Sequence, residues 1–217
     1  MGVLTNTHPT KSEVISLSYE KYWMIALTPH FKVWEFRCKD GSDTVKVDWF
    51  TVNALEAARK FFDKAINITS AYRTTSYNKK IGGASGSLHT TGQAVDCYIS
   101  GQSPSLLAKF FEAYGMKGIG CYYDDSFVHV DSRERKFLWK NQSTTAVSTH
   151  LPTIRSGATG QDVKDLQVLL NKAGASLSVD GVFGTNTHKE VNNFQAARGL
   201  EVDGIVGPKT WARLLTK

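Results

Sequence analysis

The sequence predicts a larger domain of the α+β class, followed by a smaller helical domain. Apolar residues at helical spacing in residues 48–63 and 103–114 indicate two core helices, and strand-like alternation in 94–99 and 127–131 indicates two strands. The tail contains an internal repeat in which each copy leads into a helical pattern. Helices and strands in one segment and helices alone in the other indicate two separate folding units.

A break in composition marks the boundary between the two domains. Residues 141–150 contain no Asp, Glu, Lys or Arg and are dominated by Asn, Gln, Ser and Thr. Such a composition is typical of a linker. We therefore expect one domain over 1–140, a linker over 141–152 and a second domain over 153–217, sizes that suit independent domains.

The composition excludes several classes of protein. Hydrophobic residues make up 41% of the 217 residues, which is enough for a packed core, and no apolar run is long enough to cross a membrane. Three widely spaced cysteines, Cys38, Cys97 and Cys121, do not form a disulfide framework. The net charge of +6 is spread along the chain, so we expect no nucleic-acid partner and no membrane insertion. We also expect a monomer.

The two helices of the larger domain have recognisable starts and apolar faces. Ser103-Pro104 is a helix-start signal, because serine caps the helix and proline suits its first turn. The faces recur at helical spacing and are formed by Val52, Leu55, Ala58, Phe61 and Phe62 in one helix and by Leu106, Leu107, Phe110 and Phe111 in the other.

The two strands carry polar side chains opposite an apolar face. Period-two alternation puts Phe127, His129 and Asp131 on one face of their strand, with valines on the other. In the other strand, Asp96 faces away from Val95 and Cys97. A carboxylate in such an apolar strand is costly to bury unless it is paired, hydrogen-bonded or bound to a metal.

These residues predict a metal site. His89 precedes Asp96 across a turn-prone Thr-Thr-Gly segment, and His129 arrives from a neighbouring strand. Two imidazoles and one carboxylate leave the fourth position of a tetrahedral Zn²⁺ open, as in catalytic zinc sites. Each residue taken singly has a simpler interpretation as a hydrogen-bonded side chain. The whole pattern, S-x-H-x-x-G-x-A-x-D followed by H-x-D, favours the metal.

The tail contains a repeated loop-to-helix unit. The pattern V-D-G-[VI]-x-G-x-x-T begins at Val179 and again at Val202, and Asp-Gly is a turn signal. Ahead of the repeat, Asp162 is positioned to cap a first helix. We expect three helices without a catalytic constellation. This stretch, about 154–215, resembles the peptidoglycan-binding domain of many cell-wall hydrolases.

The metal pattern resembles that of a known family. Residues 31–133 are similar to the zinc D-Ala-D-Ala carboxypeptidases and the phage L-alanyl-D-glutamate endopeptidases, which share the hedgehog-type fold. The resemblance implies a central antiparallel sheet with flanking helices, and zinc held by the two histidines and the aspartate named above. It also implies that Arg73 grips a carboxylate or carbonyl of the peptide and that Ser87 bonds its backbone. Tyr72 and Asn78, in the same matching segment as Arg73, are further candidates for binding the substrate.

The general base is left open by the sequence. Many relatives carry Glu or His a few residues before the last zinc histidine, and in this chain the position three before His129 is Ser126. Asp131 shares a strand face with His129, so it is the first candidate, either as the base or as a residue that orients the zinc ligands. Asp124 and Asp125 are the alternatives.

The sequence thus predicts a zinc peptidase that cuts peptide stems of bacterial peptidoglycan and is held to the wall by its second domain. No secretory signal is readable at the N-terminus, so we expect a phage endolysin made in the host cytoplasm that reaches the wall after release. The alternatives are a D,D- or L,D-carboxypeptidase that trims stem ends, and a non-catalytic protein that binds the wall.

Overall fold

The computed structural model describes residues 11–141 and 147–216. The larger domain combines a two-stranded antiparallel sheet, a five-stranded sheet and four helices. The strands are β1 Val14–Ser18, β2 Thr44–Asp48, β3 Asn67–Ser70, β4 Ala94–Tyr98, β5 Gly118–Tyr122, β6 Phe127–Asp131 and β7 Phe137–Lys140. The helices are α1 Tyr19–Tyr22, α2 Trp49–Phe62, α3 Thr75–Lys80 and α4 Pro104–Tyr114. No described helix is long and apolar enough to span a membrane.

The two helices and two strands predicted for this domain are confirmed. Helix α2 begins after Asp48, whose side chain accepts a hydrogen bond from Thr51 N, and α4 begins after the cap residue Ser103. The residues of β6 alternate as expected, with Val128 and Val130 fully buried in the core. Pairing with β2 gives residues 14–18 a place that the sequence left undecided, whereas residues 1–10 lie outside the described part.

The five-stranded sheet has the order β3-β4-β6-β5-β7. Its central pairs are antiparallel, as expected, and the parallel pairing of β5 with β7 makes the sheet mixed at one edge. In the centre, Asp96 on β4 lies directly opposite His129 on β6. Cross-strand partners project from the same face of a sheet, so this register brings the two side chains together.

The smaller domain has the three expected helices, α5 Gln161–Lys172, α6 Thr185–Ala197 and α7 Pro208–Leu215. The two copies of the repeat form equivalent loops. Gln167 donates to Asp180 and receives a bond from Gly181 N, and Gln195 does the same with Asp203 and Gly204. These buried amides fix both turns, so the Asp-Gly pairs build the fold, as expected.

One expected cap is wrong. The residue before α5 is Gly160, and Asp162 lies in the first turn of the helix, where it pairs with Lys109 of the larger domain. An interdomain ion pair therefore uses the carboxylate that the sequence assigned to capping.

The two domains are packed together. Helix α4 of the larger domain contacts α5 and α7 of the smaller one. The described end of the predicted linker also packs: His150 is buried, and Glu112 of α4 accepts hydrogen bonds from its backbone N–H and from Thr149. The boundaries at 140 and 153 stay a prediction.

Candidate metal centre

The predicted metal ligands converge in an open cleft. Nε2 of His89 lies 3.2 Å from Nδ1 of His129 and 3.2 Å from Oδ1 of Asp96, and His129 Nδ1 lies 2.8 Å from the same oxygen. Three ligand atoms about 2.0–2.2 Å from a tetrahedral Zn²⁺ lie about 3.3 Å apart. The triangle is close to that size, so these residues can hold a metal ion.

The hydrogen bonds around the cluster fix the tautomers of both histidines. His89 Nδ1 lies 2.7 Å from the carbonyl oxygen of Ala71, which can only accept, so Nδ1 carries the hydrogen. His129 Nε2 lies 3.0 Å from Oδ2 of Asp131, so Nε2 carries the hydrogen there. In the neutral rings, His89 Nε2 and His129 Nδ1 therefore present lone pairs to the same point as the Asp96 oxygen. Three acceptors that face one another require a cation or a proton between them.

The pKa values reflect this crowding. Burial alone would lower the pKa of His129, but hydrogen bonds to Asp131 and Asp96 outweigh it and raise the value to about 9. Burial alone would raise the pKa of Asp96, but hydrogen bonds from the two histidines outweigh it and lower the value. In the absence of a metal, a proton on His129 therefore takes the place of the cation. The donor set suits Zn²⁺, as the sequence predicted.

Asp131 supports His129 from behind. It is fully buried, and Oδ1 and Oδ2 accept bonds of 2.7 and 2.5 Å from Nε and Nη2 of Arg133 while Oδ2 also bonds His129. Burial would raise the pKa of Asp131, but the bonds from Arg133 and His129 outweigh it and lower the value. Among the two roles expected for Asp131, this geometry favours the orienting one. Asp124 and Asp125 are exposed and do not line the cleft.

Arg73 lies in the cleft with two of its donors engaged. Its Nη2 donates to Oδ2 of Asp96 at 2.7 Å and its Nε to the hydroxyl of Ser70 at 2.8 Å. Arg73 therefore orients the metal-binding carboxylate, a contact that the sequence did not predict. A guanidinium has five N–H donors, so both hydrogens of Nη1 and the second hydrogen of Nη2 are left over for a substrate.

The other predicted substrate contacts divide into two groups. Ser87 lines the cleft close to His89. Tyr72 is buried and faces a second hollow on the other side of Arg73, and Asn78 is buried where its amide donates to the carbonyl of Ala84. The structure thus places Ser87 beside the metal ligands but not Tyr72 or Asn78, and their roles stay predictions.

Two aromatic residues complete the wall of the cleft. Trp139 on β7 lies with its ring centre 5.2 Å from that of His129, and its Nε1 donates to the hydroxyl of Tyr122 at 3.0 Å. A Cβ at Gly120 would overlap the indole of Trp139, and one at Gly118 would overlap the carboxylate of Asp131. The alternation Gly-x-Gly on β5 is therefore the sequence signal that could have indicated large side chains, here Trp139 and Asp131, packed over this face of the strand.

The cysteines take no part in the metal cluster. Cys97 and Cys121 are fully buried on the core side of the sheet, which was expected for Cys97 and left undecided for Cys121. Burial raises the pKa of Cys121 to about 11 and raises that of Cys97 as well, so both are neutral thiols at pH 7.

Comparisons with known proteins give the two domains their families. Residues 29–131 match the family described as Peptidase M15, and residues 159–214 match that described as "Putative peptidoglycan binding domain". A spore cortex-lytic enzyme of Halalkalibacterium halodurans is 44% identical over 75 residues, which are 34% of this chain and 23% of that enzyme. The zinc D-Ala-D-Ala carboxypeptidase of Streptomyces albus G is 40% identical over 65 residues, 29% of this chain and 26% of that enzyme.

Among solved structures, the Burkholderia AP3 phage endolysin is 49% identical over 29% of this chain and 24% of its own, with a TM-score of 0.29. The matched segments thus span about a quarter of these relatives. The family matches agree with the resemblance drawn from the residues: a segment that matches Peptidase M15 is followed by a segment that matches a peptidoglycan-binding domain.

Proposed function

We propose that the protein is a zinc-dependent peptidase that hydrolyses internal bonds in the peptide stems of bacterial peptidoglycan, as a phage lytic enzyme does. The observation that carries the proposal is the convergence of His89, Asp96 and His129 in an open cleft, with lone pairs directed at one point. A structural zinc site would be closed by a fourth protein ligand.

The chemistry of the cleft follows from its donors. A bound Zn²⁺ would be held by these three side chains, and such an ion polarises a carbonyl and lowers the pKa of bound water towards about 7. Asp131 and Arg133 keep the ring of His129 in its ligand orientation and tautomer. Arg73 holds the carboxylate of Asp96 in its ligand orientation. Both ligands are thus held in position before a substrate arrives, which reduces the reorganisation needed during the reaction.

The substrate is positioned by the walls of the cleft. Tyr122 accepts a hydrogen bond from Trp139, which leaves its own O–H to donate into the cleft. We assign this hydroxyl to the carbonyl oxygen of the scissile peptide, where negative charge develops. Ser87 and the remaining donors of Arg73 hold the peptide on either side of the metal ligands.

The second domain tethers the enzyme to its insoluble substrate. A wall-bound domain raises the local concentration of the cleft at the peptide stems. Because α4 is packed against α5 and α7, the cleft is held in a defined relation to the wall-binding domain.

The experiment is mass spectrometry of the fragments released from purified peptidoglycan of known composition, with and without a chelator. We expect products cut at internal stem bonds, lost on chelation and restored by Zn²⁺. Release of a free terminal amino acid would support the carboxypeptidase alternative. This alternative is kept because part of the chain is similar to a zinc D-Ala-D-Ala carboxypeptidase. Wall binding without any released fragment would contradict the peptidase proposal.

A further inference from the structure

A second hollow adjoins the metal cleft. It has a volume of about 320 Å³ and is lined by Trp34, Asn67, Thr69, Tyr72, Arg73 and Tyr77, among others. We refer to it as the Trp34 hollow. Arg73 also lines the metal cleft, so the two spaces meet at this side chain. A ligand that fills the cleft and continues past Arg73 enters the Trp34 hollow.

The hollow exposes an indole. Half of the surface of Trp34 is accessible to solvent, although the residue lies in a short 3-10 helix, Val33–Phe36, whose first and last residues are buried. A large aromatic face left in solvent within a concave site is typical of binding surfaces, where tryptophan is enriched. Among the described residues, Trp23 is exposed to a similar extent, but it does not line the hollow.

The rim of the hollow is polar and carries positive charge. Asn67 and Thr69 contribute amide and hydroxyl groups. The charged residues of the lining are three cations and one carboxylate, which leaves an excess of positive charge: Arg37, Lys39, Arg73 and Glu35. An apolar ring face beside hydrogen-bonding groups matches a pyranose ring, whose C–H face is apolar and whose edge bears hydroxyl and N-acetyl groups. The ligand chemistry that fits is thus an N-acetylated sugar with an attached anionic chain.

We propose that the Trp34 hollow binds the N-acetylated sugar to which the peptide stem is attached, with the sugar ring stacked on the indole. The inference rests on the proposed function, because a stem held in the metal cleft carries its sugar covalently. An extended peptide advances about 3.3–3.6 Å per residue, so a sugar in the adjoining hollow places the scissile bond near the glycan end of the stem. The enzyme therefore prefers stems that still carry the sugar.

Two soluble substrates test this preference. One is a stem peptide linked to its disaccharide, and the other is the same peptide with an acetyl group in place of the sugar, which keeps the charge of the peptide terminus unchanged. We expect Trp34→Ala to lower kcat/KM for the sugar-linked substrate about tenfold or more, with kcat/KM for the acetyl peptide unchanged. Trp34→Phe, which keeps an aromatic face, recovers part of the loss.

The matched control is Trp23→Ala, which removes an equally exposed indole outside the hollow and leaves both rates unchanged. An equal loss on both substrates with Trp34→Ala would overturn the proposal in favour of a peptide in the hollow. No loss on either substrate would also overturn it.

An equilibrium measurement separates this inference from the proposed function. With zinc removed by a chelator, the dissociation constant of the sugar-linked peptide is measured by calorimetry for the wild type and both tryptophan variants. The wall-binding domain is the same in all three, so a difference reports on the altered side chain. Weaker binding with Trp34→Ala alone supports sugar binding in the Trp34 hollow even if neither substrate is cut. Equal binding in all three proteins overturns it.

Discussion

Two clusters of buried charge differ in how they are neutralised. Lys109 on α4 is almost completely buried, and its Nζ donates to Asp165 at 2.8 Å, to Asp162 at 2.6 Å and to the hydroxyl of Ser105. This cluster supplies its own cation, and its three donor hydrogens have three acceptors. The cluster at His89, Asp96 and His129 has three acceptors facing one another and takes up a proton in the absence of a metal.

The difference shows how the chain separates stability from chemistry. Lys109 and Asp165 are closed to solvent, Asp162 lies at the edge of the cluster, and the three residues join the two domains, so the function of this cluster is structural. The histidine cluster opens to a cleft and lacks a cation of its own at the point of convergence, so it can accept one from solution. Burial of charge alone does not distinguish the two, whereas the count of donors against acceptors does.

The largest expected effect comes from removing a metal ligand. His129→Ala should lower hydrolysis at least a thousandfold, because the site loses one of three ligands and the cavity left behind opens to water. Wall binding by the second domain should be unchanged. Wall-clearing assays and pull-down on insoluble peptidoglycan measure the two properties. Full activity of this variant would show that the ligand assignment is wrong.

Breaking the structural cluster should affect stability instead. Lys109→Ala leaves Asp165 buried without its cation, which typically costs about 3–5 kcal/mol of unfolding free energy. Denaturant unfolding measures the loss, and zinc content per folded chain should stay at the wild-type level.

Lys109→Met combined with Asp165→Asn is the matched control, since it removes both buried charges and keeps both side-chain volumes close to the originals. We expect this pair to recover most of the stability. A single variant as stable as the wild type would mean that the domains are not held by this cluster.

A smaller effect is expected from the cleft wall. Tyr122→Phe removes a hydroxyl that we assign to the scissile carbonyl, so kcat should fall about 10- to 100-fold with little change in KM. Zinc content should not change, because Tyr122 does not touch a ligand. A rise in KM at constant kcat would instead assign the hydroxyl to ground-state binding.

The pH dependence of metal binding sharpens the comparison further. The pKa of His129 in the metal-free protein is raised to about 9, so its proton must leave when the metal enters. Apparent zinc affinity should therefore weaken about tenfold for each unit that the pH falls below 9. The proton-stabilised form of the metal-free site is present at low pH and is lost as the pH rises through about 9. Calorimetry in buffers of different ionisation enthalpy measures the released proton, and affinity that does not vary with pH would contradict the raised pKa of His129.

The sequence predicted what depends on local periodicity. Alternation in β6 placed His129 and Asp131 on one face, and it placed Val128 and Val130 in the core. The convergence of the metal ligands followed because a loop and two adjacent strands carry them.

Local periodicity could not predict contacts between residues that are far apart in the sequence. Lys109 meets Asp165 across 56 positions and Arg73 meets Asp96 across 23, and neither pairing leaves a periodic pattern. The same holds for the second half of the linker, which has a polar composition but packs through Glu112. A polar composition shows that a segment tolerates solvent. Whether the segment packs depends on the surface it meets, which here is α4.

X-ray absorption at the zinc edge, on full-length protein loaded with one equivalent of Zn²⁺, tests the central claim most directly. Two imidazole nitrogens and oxygen ligands only, with one imidazole missing in His129→Ala, are the predicted result. A sulfur ligand, a fourth protein ligand, or an unchanged spectrum in the variant would contradict an open site built from His89, Asp96 and His129.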